Sequence, residues 1–201
     1  MLDAELIMRI TAGQFKGVRL HAPPHIRPTT DKVRQALCNI LGEFIEGARV
    51  LDGFAGSGAV GIEALSRGAA FVAFVEQDTE AILAIRDNLE RLAPELPRSA
   101  WRVVQADIDR GLSQLARLEE PFDLIFFDPP YHSDEGKKAL HSVVEYGMVT
   151  PAAVVVIEHS RRDTPPTAVG PWQQWKQHRY GETVLSFYQR RPEVDSTLNL
   201  V

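Results

Sequence analysis

From residue 49 onward the chain alternates short apolar runs with segments of helical period. The runs are Arg49–Leu51, Phe71–Val75, Arg102–Val104, Asp123–Phe127 and Val154–Ile157. Between them, Ala59–Ser66 and Thr79–Leu92 have helical spacing, and Ile82, Ile85, Leu89 and Leu92 share one face of the second. Shorter helices are expected around Ile108–Leu118 and Gly136–Tyr146. Runs without internal alternation, separated by helices, predict parallel strands covered on both faces. The last segment departs from this rhythm. Trp175–Arg179 and Thr183–Tyr188 flank Gly181 too closely for a parallel crossover, so they predict an antiparallel hairpin at one sheet edge. The expected fold is α/β: a Rossmann-like, doubly wound, mostly parallel seven-stranded sheet with a C-terminal hairpin.

Before residue 30 the pattern differs. Arg9 through Leu20 reads as two short strands, with Gly13 and Gly17 permitting the turn of a small β-hairpin. Pro23, Pro24 and Pro28 exclude a regular helix there. Thr29, Thr30 and Asp31 offer capping oxygens to a helix whose apolar stripe is Val33, Ala36, Leu37, Ile40, Leu41 and Phe44. Cys38 lies off that stripe and reads as an inert small residue. The organisation expected is a hairpin extension over 1–29, one domain over 30–190 and a loose tail over 191–201.

Composition narrows the class. At 201 residues, 44% hydrophobic and 24% charged, the chain suits one ordinary core and is not disordered. A single cysteine excludes an intramolecular disulfide framework and a Cys-rich zinc site, and none of the six histidines has metal-ligand spacing. No run approaches the roughly 20 apolar residues of a membrane helix, and the N-terminus lacks the apolar core of a signal peptide. A cytoplasmic, metal-free, monomeric protein is the expectation. Taken as a sum, the net charge of −5 argues against nucleic acid. It is unevenly spread, however. Arg9, Lys16, Arg19, Arg27, Lys32 and Arg34 face one acid, Asp31, giving a local +5 and leaving −10 for the rest.

The chemistry concentrates at strand ends. After the first long run comes Asp52-Gly-Phe-Ala-Gly-Ser-Gly-Ala-Val-Gly61, in which Gly56, Gly58 and Gly61 match G-x-G-x-x-G. Alone, that pattern also suits a dinucleotide, with Glu76 as the ribose acid. Asp52 shifts the balance, because a carboxylate there repels a pyrophosphate but suits a ligand with a positive amine, such as S-adenosylmethionine. Asp107 follows the third run, either as an acceptor for an adenine amino group beside the Ile108 N–H or as a helix cap. Asp128-Pro-Pro-Tyr131 ends the fourth run. Its prolines stiffen the backbone, so the Asp128 carboxylate and Pro129 carbonyl can accept both hydrogens of an exocyclic base amine while Tyr131 stacks on the ring. All six histidines read as surface or core groups, with contact to a substrate as the alternative for His132, directly after Tyr131. Glu158 and Arg161 read as surface polar groups.

These motifs, with Arg9-Ile-Thr-Ala-Gly-Gln-Phe-Lys-Gly17 and Arg27-Pro-Thr-Thr-Asp-Lys-Val-Arg34, resemble the class I S-adenosylmethionine-dependent methyltransferases. Within them the chain is most similar to the bacterial 16S rRNA guanine-N2 methyltransferases of the RsmD family, over about residues 8–190. The resemblance implies catalytic positions at Asp128, Pro129, Pro130 and Tyr131. It implies cofactor positions at Asp52, Phe54, Ala55, Gly56, Ser57, Gly58, Glu76, Gln77, Asp107 and Ile108. It also implies an RNA-facing segment carrying Arg9, Lys16, Arg19, Arg27, Thr29, Lys32 and Arg34, and a substrate within the small ribosomal subunit. Gly53 departs from the family, which more often has an apolar residue such as Leu there.

Three rivals stand beside that reading. A DPPY loop recognises an amine and not a whole ring, so adenine in DNA or a base in another RNA is an alternative target. A non-catalytic RNA-binding assembly factor has no use for Asp52, Glu76 and Asp128 together. An NAD oxidoreductase is disfavoured by Asp52 ahead of the glycines.

Overall fold

The computed structural model describes residues 8–26, 30–118 and 120–192. The N-terminal hairpin pairs β1 (Met8–Arg9) with β2 (Arg19–Leu20). The main sheet holds β3 (Arg49–Gly53), β4 (Phe71–Glu76), β5 (Trp101–Gln105), β6 (Phe122–Phe127), β7 (Val149–Ser160), β8 (Ala168–Val169), β9 (Trp172–Tyr180) and β10 (Thr183–Arg190). Its order is β5-β4-β3-β6-β7-β10-β9-β8, parallel from β5 through β7 and antiparallel beyond. The seven expected strands are thus joined by an eighth, the two-residue β8 at the edge. The chain leaves β3 toward β4 and β5, then crosses back to β6, so β3 and β6 flank the point where strand order reverses. Crevices at such points are where open α/β sheets bind ligands.

Helices α1 (Asp31–Leu41), α2 (Ala59–Ser66) and α3 (Thr79–Leu92) cover one sheet face, and α4 (Ile108–Ala116) and α5 (Glu135–Glu145) the other. The pleat sorts the strand residues between the two cores. Val50, Phe74, Phe126 and Val156 pack toward α1–α3, whereas Leu51, Val75, Phe127 and Ile157 pack toward α4 and α5.

The hairpin is built into the first core. Met8, Ile10, Phe15 and Leu20 are buried in the same cluster as α1 and α2. Its turn docks on the end of α2, where Gln14 N donates to the Ser66 carbonyl at 2.7 Å and Phe15 N to Ser66 Oγ at 3.0 Å.

Helix α1 departs from the expected stripe. Thr30 is its N-cap, accepting from Val33 N at 3.3 Å, but the buried face is Val33, Arg34, Leu37, Cys38 and Leu41. Ala36 and Ile40 are only half-buried. The α-helix stops at Leu41 and a 3₁₀ turn, Gly42–Ile45, follows. The tighter winding changes the phase, so Ile45 turns inward and Phe44 is left 58% exposed. Cys38 is buried on the covered face, not beside it, and burial pushes its thiol up to about 12. Inertness at neutral pH follows, since the thiolate is the reactive form.

Candidate active site

Because successive strand residues alternate faces, the acids at the strand ends fall on one side of the sheet. Asp52 lies two residues after Val50, Glu76 two after Phe74 and Asp128 two after Phe126, all on the α1–α3 side. Asp52 is 1% exposed and accepts from Gly61 N, in the first turn of α2, at 2.8 Å. Burial raises its carboxyl well above the usual carboxylate range; the Gly61 hydrogen bond opposes this, and Asp128 and Glu76 add to it. A positive group brought beside it would favour its ionised form.

Glu76 holds the glycine loop in shape. Its Oε2 accepts from Gly56 N at 2.8 Å, and its Oε1 from Gln77 N at 2.7 Å and Asp78 N at 2.9 Å. The loop turns sharply enough to place Phe54 at φ +61°, a left-handed conformation unusual for an aromatic residue, and strain of this kind clusters at ligand sites. Gly61 permits the close approach of α2 to β4, since a Cβ there would lie 2.3 Å from Phe74 Cε1.

Two adjoining cavities result. The larger, about 510 Å³, is lined by Asp52, Phe54, Ala55, Gly56, Ser57, Glu76 and Gln77, and by all four residues from Asp128 to Tyr131. The smaller, about 260 Å³, shares Phe54, Glu76 and Gln77 and adds Asp107 and Ile108. Gly58 alone among the expected cofactor residues lines neither; it is the left-handed N-cap of α2. Asp107 does cap α4, its Oδ1 accepting from Arg110 N at 3.0 Å, and it faces the smaller cavity as well.

On the DPPY loop, Pro129 is buried and Tyr131 is 37% exposed. The Tyr131 hydroxyl lies 3.1 Å from Thr183 Oγ1 and donates to Glu158 Oε1 at 3.5 Å. Glu158 is therefore not the surface group the sequence suggested. It is 4% exposed and lines the larger cavity. Its signal was present, since the apolar run of β7 ends in an acid just as those of β3, β4 and β6 do. Arg161 does stay at the surface, 2.8 Å from Glu182. His132 points elsewhere: at φ +60°, its Nδ1 lies 2.8 Å from Asp163 Oδ1, and it lines a separate cavity behind the loop.

The basic segment divides in two. Arg9 and Arg19 are cross-strand partners with exposed side chains, and Lys16 and Lys32 are also exposed. Arg34 has no solvent exposure, so its expected place on an RNA-facing surface is corrected. Its guanidinium donates to the Arg9 carbonyl, and its Nε lies 3.6 Å from Glu63 Oε2. Arg27 and Thr29 lie outside the described residues. Glu63 itself, missed in the sequence, is fully buried and accepts from Thr11 N, Thr11 Oγ1 and Ala12 N at 2.8, 2.6 and 3.1 Å. Asn88, also buried, bridges His21 to the Ser57 carbonyl. These bonds fix the segment beside the larger cavity, which His25, Ile26, Thr30 and Val33 help to line. Among the described residues no helix is long and apolar enough to cross a membrane, and no group of three or more His, Cys, Asp or Glu is placed to hold a metal.

The family model described as Conserved hypothetical protein 95 matches residues 8–189. The chain is 40% identical to YlbH of Bacillus subtilis over 186 residues, covering 92% of this chain and 100% of that protein. It is 33% identical over 191 residues to Ribosomal RNA small subunit methyltransferase D of Escherichia coli K12, covering 94% and 93%. The solved structure of yhhF from Escherichia coli superposes with a TM-score of 0.79 at 33% identity, over 92% of this chain and 98% of that one.

Proposed function

The chain belongs to the Conserved hypothetical protein 95 family, the RsmD-type methyltransferases, and on that premise we propose that it methylates N2 of one guanine in 16S rRNA, using S-adenosylmethionine. The observation that carries this reading is a single cavity lined both by the rigid acceptors Asp128 and Pro129 and by the cofactor-type residues Asp52, Gly56 and Glu76. The donor set suits that cofactor. Asp52 is a buried acid that lines the cavity, where it would meet the methionine ammonium. Glu76 would receive the ribose hydroxyls, while Asp107 and the Ile108 N–H in the smaller cavity would receive the adenine edge. When bound, S-adenosylmethionine supplies an electrophilic methyl group on a positively charged sulfur.

The remaining work belongs to the protein. A guanine amine is weakly nucleophilic because its lone pair is conjugated into the ring. The Asp128 carboxylate and Pro129 carbonyl accept its two hydrogens, which turns the lone pair toward the incoming carbon and offsets the positive charge developing on nitrogen. The nitrogen would attack with its own lone pair as the methyl–sulfur bond breaks, leaving a neutral thioether, and the amine proton would pass to the Asp128 carboxylate or to water, so no covalent bond between enzyme and base is needed. The Tyr131 ring stacks on the base, a contact worth about 1–3 kcal/mol. The exposed Arg9, Lys16, Arg19 and Lys32 hold the RNA backbone. The protein acts as a cytoplasmic monomer on a small ribosomal subunit.

The test uses subunits from a strain lacking the gene, with the methylated nucleotide located by mass spectrometry. Asp128→Ala should lower turnover by about 10²-fold or more while leaving cofactor affinity within a few-fold. A fully active variant, or a product other than N2-methylguanine, overturns the reading.

A further inference from the structure

The acceptors of the DPPY loop do not by themselves choose a base. Guanine N2, adenine N6 and cytosine N4 each present two N–H donors to Asp128 and Pro129. The ring nitrogen beside the amine is what differs: guanine N1 carries a hydrogen, whereas adenine N1 and cytosine N3 are bare acceptors.

Glu158 stands where that difference can be read. In the parallel pairing of β6 with β7, Phe127 is the partner of Ile157, so the next residues, Asp128 and Glu158, are neighbours at the ends of adjacent strands. Glu158 follows Val156 by two residues, as Asp128 follows Phe126, and this directs both to the same side of the sheet. It is 4% exposed, yet it lines the cavity with Asp128 and Tyr131. The Tyr131 hydroxyl donates to its Oε1 at 3.5 Å and lies 3.1 Å from Thr183 Oγ1, so the acid is used as an acceptor and its position is tied to the loop.

We infer that Glu158 selects the base, its carboxylate accepting the guanine N1–H while Asp128 and Pro129 hold N2. This rests on the amino-methyltransferase reading above and adds a residue to it. With guanine, the buried carboxylate gains a donor. With adenine or cytosine it faces a lone pair, and both groups lose water without gaining a hydrogen bond. A site built around such a bond rejects the analogue lacking it by far more than an apolar pocket rejects a change of size.

The probe is 2-aminopurine, which keeps the amine at C2 but has no hydrogen on N1. Small subunits are reconstituted from ligated rRNA with guanine or 2-aminopurine at the target position, and methyl transfer is measured for the wild type and Glu158→Gln. The wild type should prefer guanine by about 10²-fold or more in kcat/KM. Glu158→Gln, whose amide can donate to a bare N1, should narrow that ratio at least about tenfold. A purely structural role lowers both rates together and leaves the ratio unchanged, which overturns the inference. Equal use of both bases by the wild type overturns it without recourse to the variant. A wild type that methylates neither RNA refutes the underlying reading instead, and that result is recognised by the absence of any guanine product.

Discussion

Gly53 offers the sharpest test of how the site is packed. At this position the structure has no room for a side chain. Gly53 is the register partner of Phe127 across β3 and β6. A Cβ at Gly53 would lie 2.6 Å from Phe127 Cδ1 and Cε1, and 3.1 Å from Ile108 Cδ1, where ordinary contact begins near 3.4 Å. Phe127 is fully buried and stands edge-on to Phe54, with ring centroids 6.1 Å apart. The ring thus fills the space a side chain on β3 would take. Gly53→Ala should therefore cost about 1–3 kcal/mol, the usual range for overpacking, which lowers Tm by about 2–12 °C for a chain of this size. Phe127→Ala alone should cost about 3–5 kcal/mol by opening a cavity. Combining Gly53→Leu with Phe127→Ala moves the bulk from one strand to its partner, so the double variant should lose at least ~1 kcal/mol less than the two single losses summed. Urea unfolding with Cm and m fitted for each variant measures this. Gly53→Ala within 0.5 kcal/mol of the wild type, or strict additivity in the cycle, refutes the exchange.

Other consequences concern charge. Burial, the largest influence on Asp52, holds its folded-state value above the ordinary one near 4. Ionising it therefore costs stability, and the cost grows as pH rises from about 4 through the raised value. Asp52→Asn should accordingly be more stable than the ligand-free wild type at neutral pH, with the gap closing as pH falls, and should bind S-adenosylmethionine more weakly. Thermal melts across pH and calorimetric titration test both parts, and a gap independent of pH contradicts the first. Glu63→Ala strands the buried Arg34 and the N–H groups of Thr11 and Ala12, so about 3–5 kcal/mol should be lost, with faster hydrogen exchange over Met8–Leu20; unchanged protection there rules out the docking role. Neutralising Lys16, Arg19 and Lys32 together should reduce the slope of log binding constant against log salt by about 2–3. Arg34→Gln should leave that slope alone and lower stability instead, and equal slopes for the triple variant and wild type would remove the surface from RNA binding.

The alternating runs and helices made the sheet legible, because burial on both faces leaves few polar positions inside a parallel strand. The same regularity exposed Asp52, Glu76 and Asp128, each at the point where an apolar run stops. Glu158 obeys the same rule but was hidden by its neighbours in the chain. The strand β7 continues through His159 and Ser160, which gives its end the look of a polar sheet edge. Only the insertion of β10 beside β7 closes that edge and brings Thr183 near the Tyr131 hydroxyl. That pairing joins residues separated by a whole hairpin, and no local pattern reports it. Arg34 was misplaced for a related reason. Helical spacing assigns a charged residue to the solvent unless a partner is known, and its partner Glu63 belongs to a different helix.

The local charge of +5 therefore sums a buried Arg34 with the exposed Arg9, Lys16, Arg19 and Lys32. Arg34 and its contacts with Glu63 and the Arg9 carbonyl anchor the hairpin, whose apolar residues extend the core of α1 and α2. Anchoring in turn sets what the outer face presents. Met8 and Leu20 are register partners on the buried side, which forces Arg9 and Arg19, the next pair, to stand opposite each other on the exposed side. Like charges directly across a strand pair destabilise it. A two-residue ladder has few hydrogen bonds with which to offset that repulsion, so its persistence depends on the interior contacts of Arg34 and Glu63. If RNA binds this face as proposed, a phosphate seated between the two arginines would offset that repulsion, so Arg9 and Arg19 would favour the bound state over the free one.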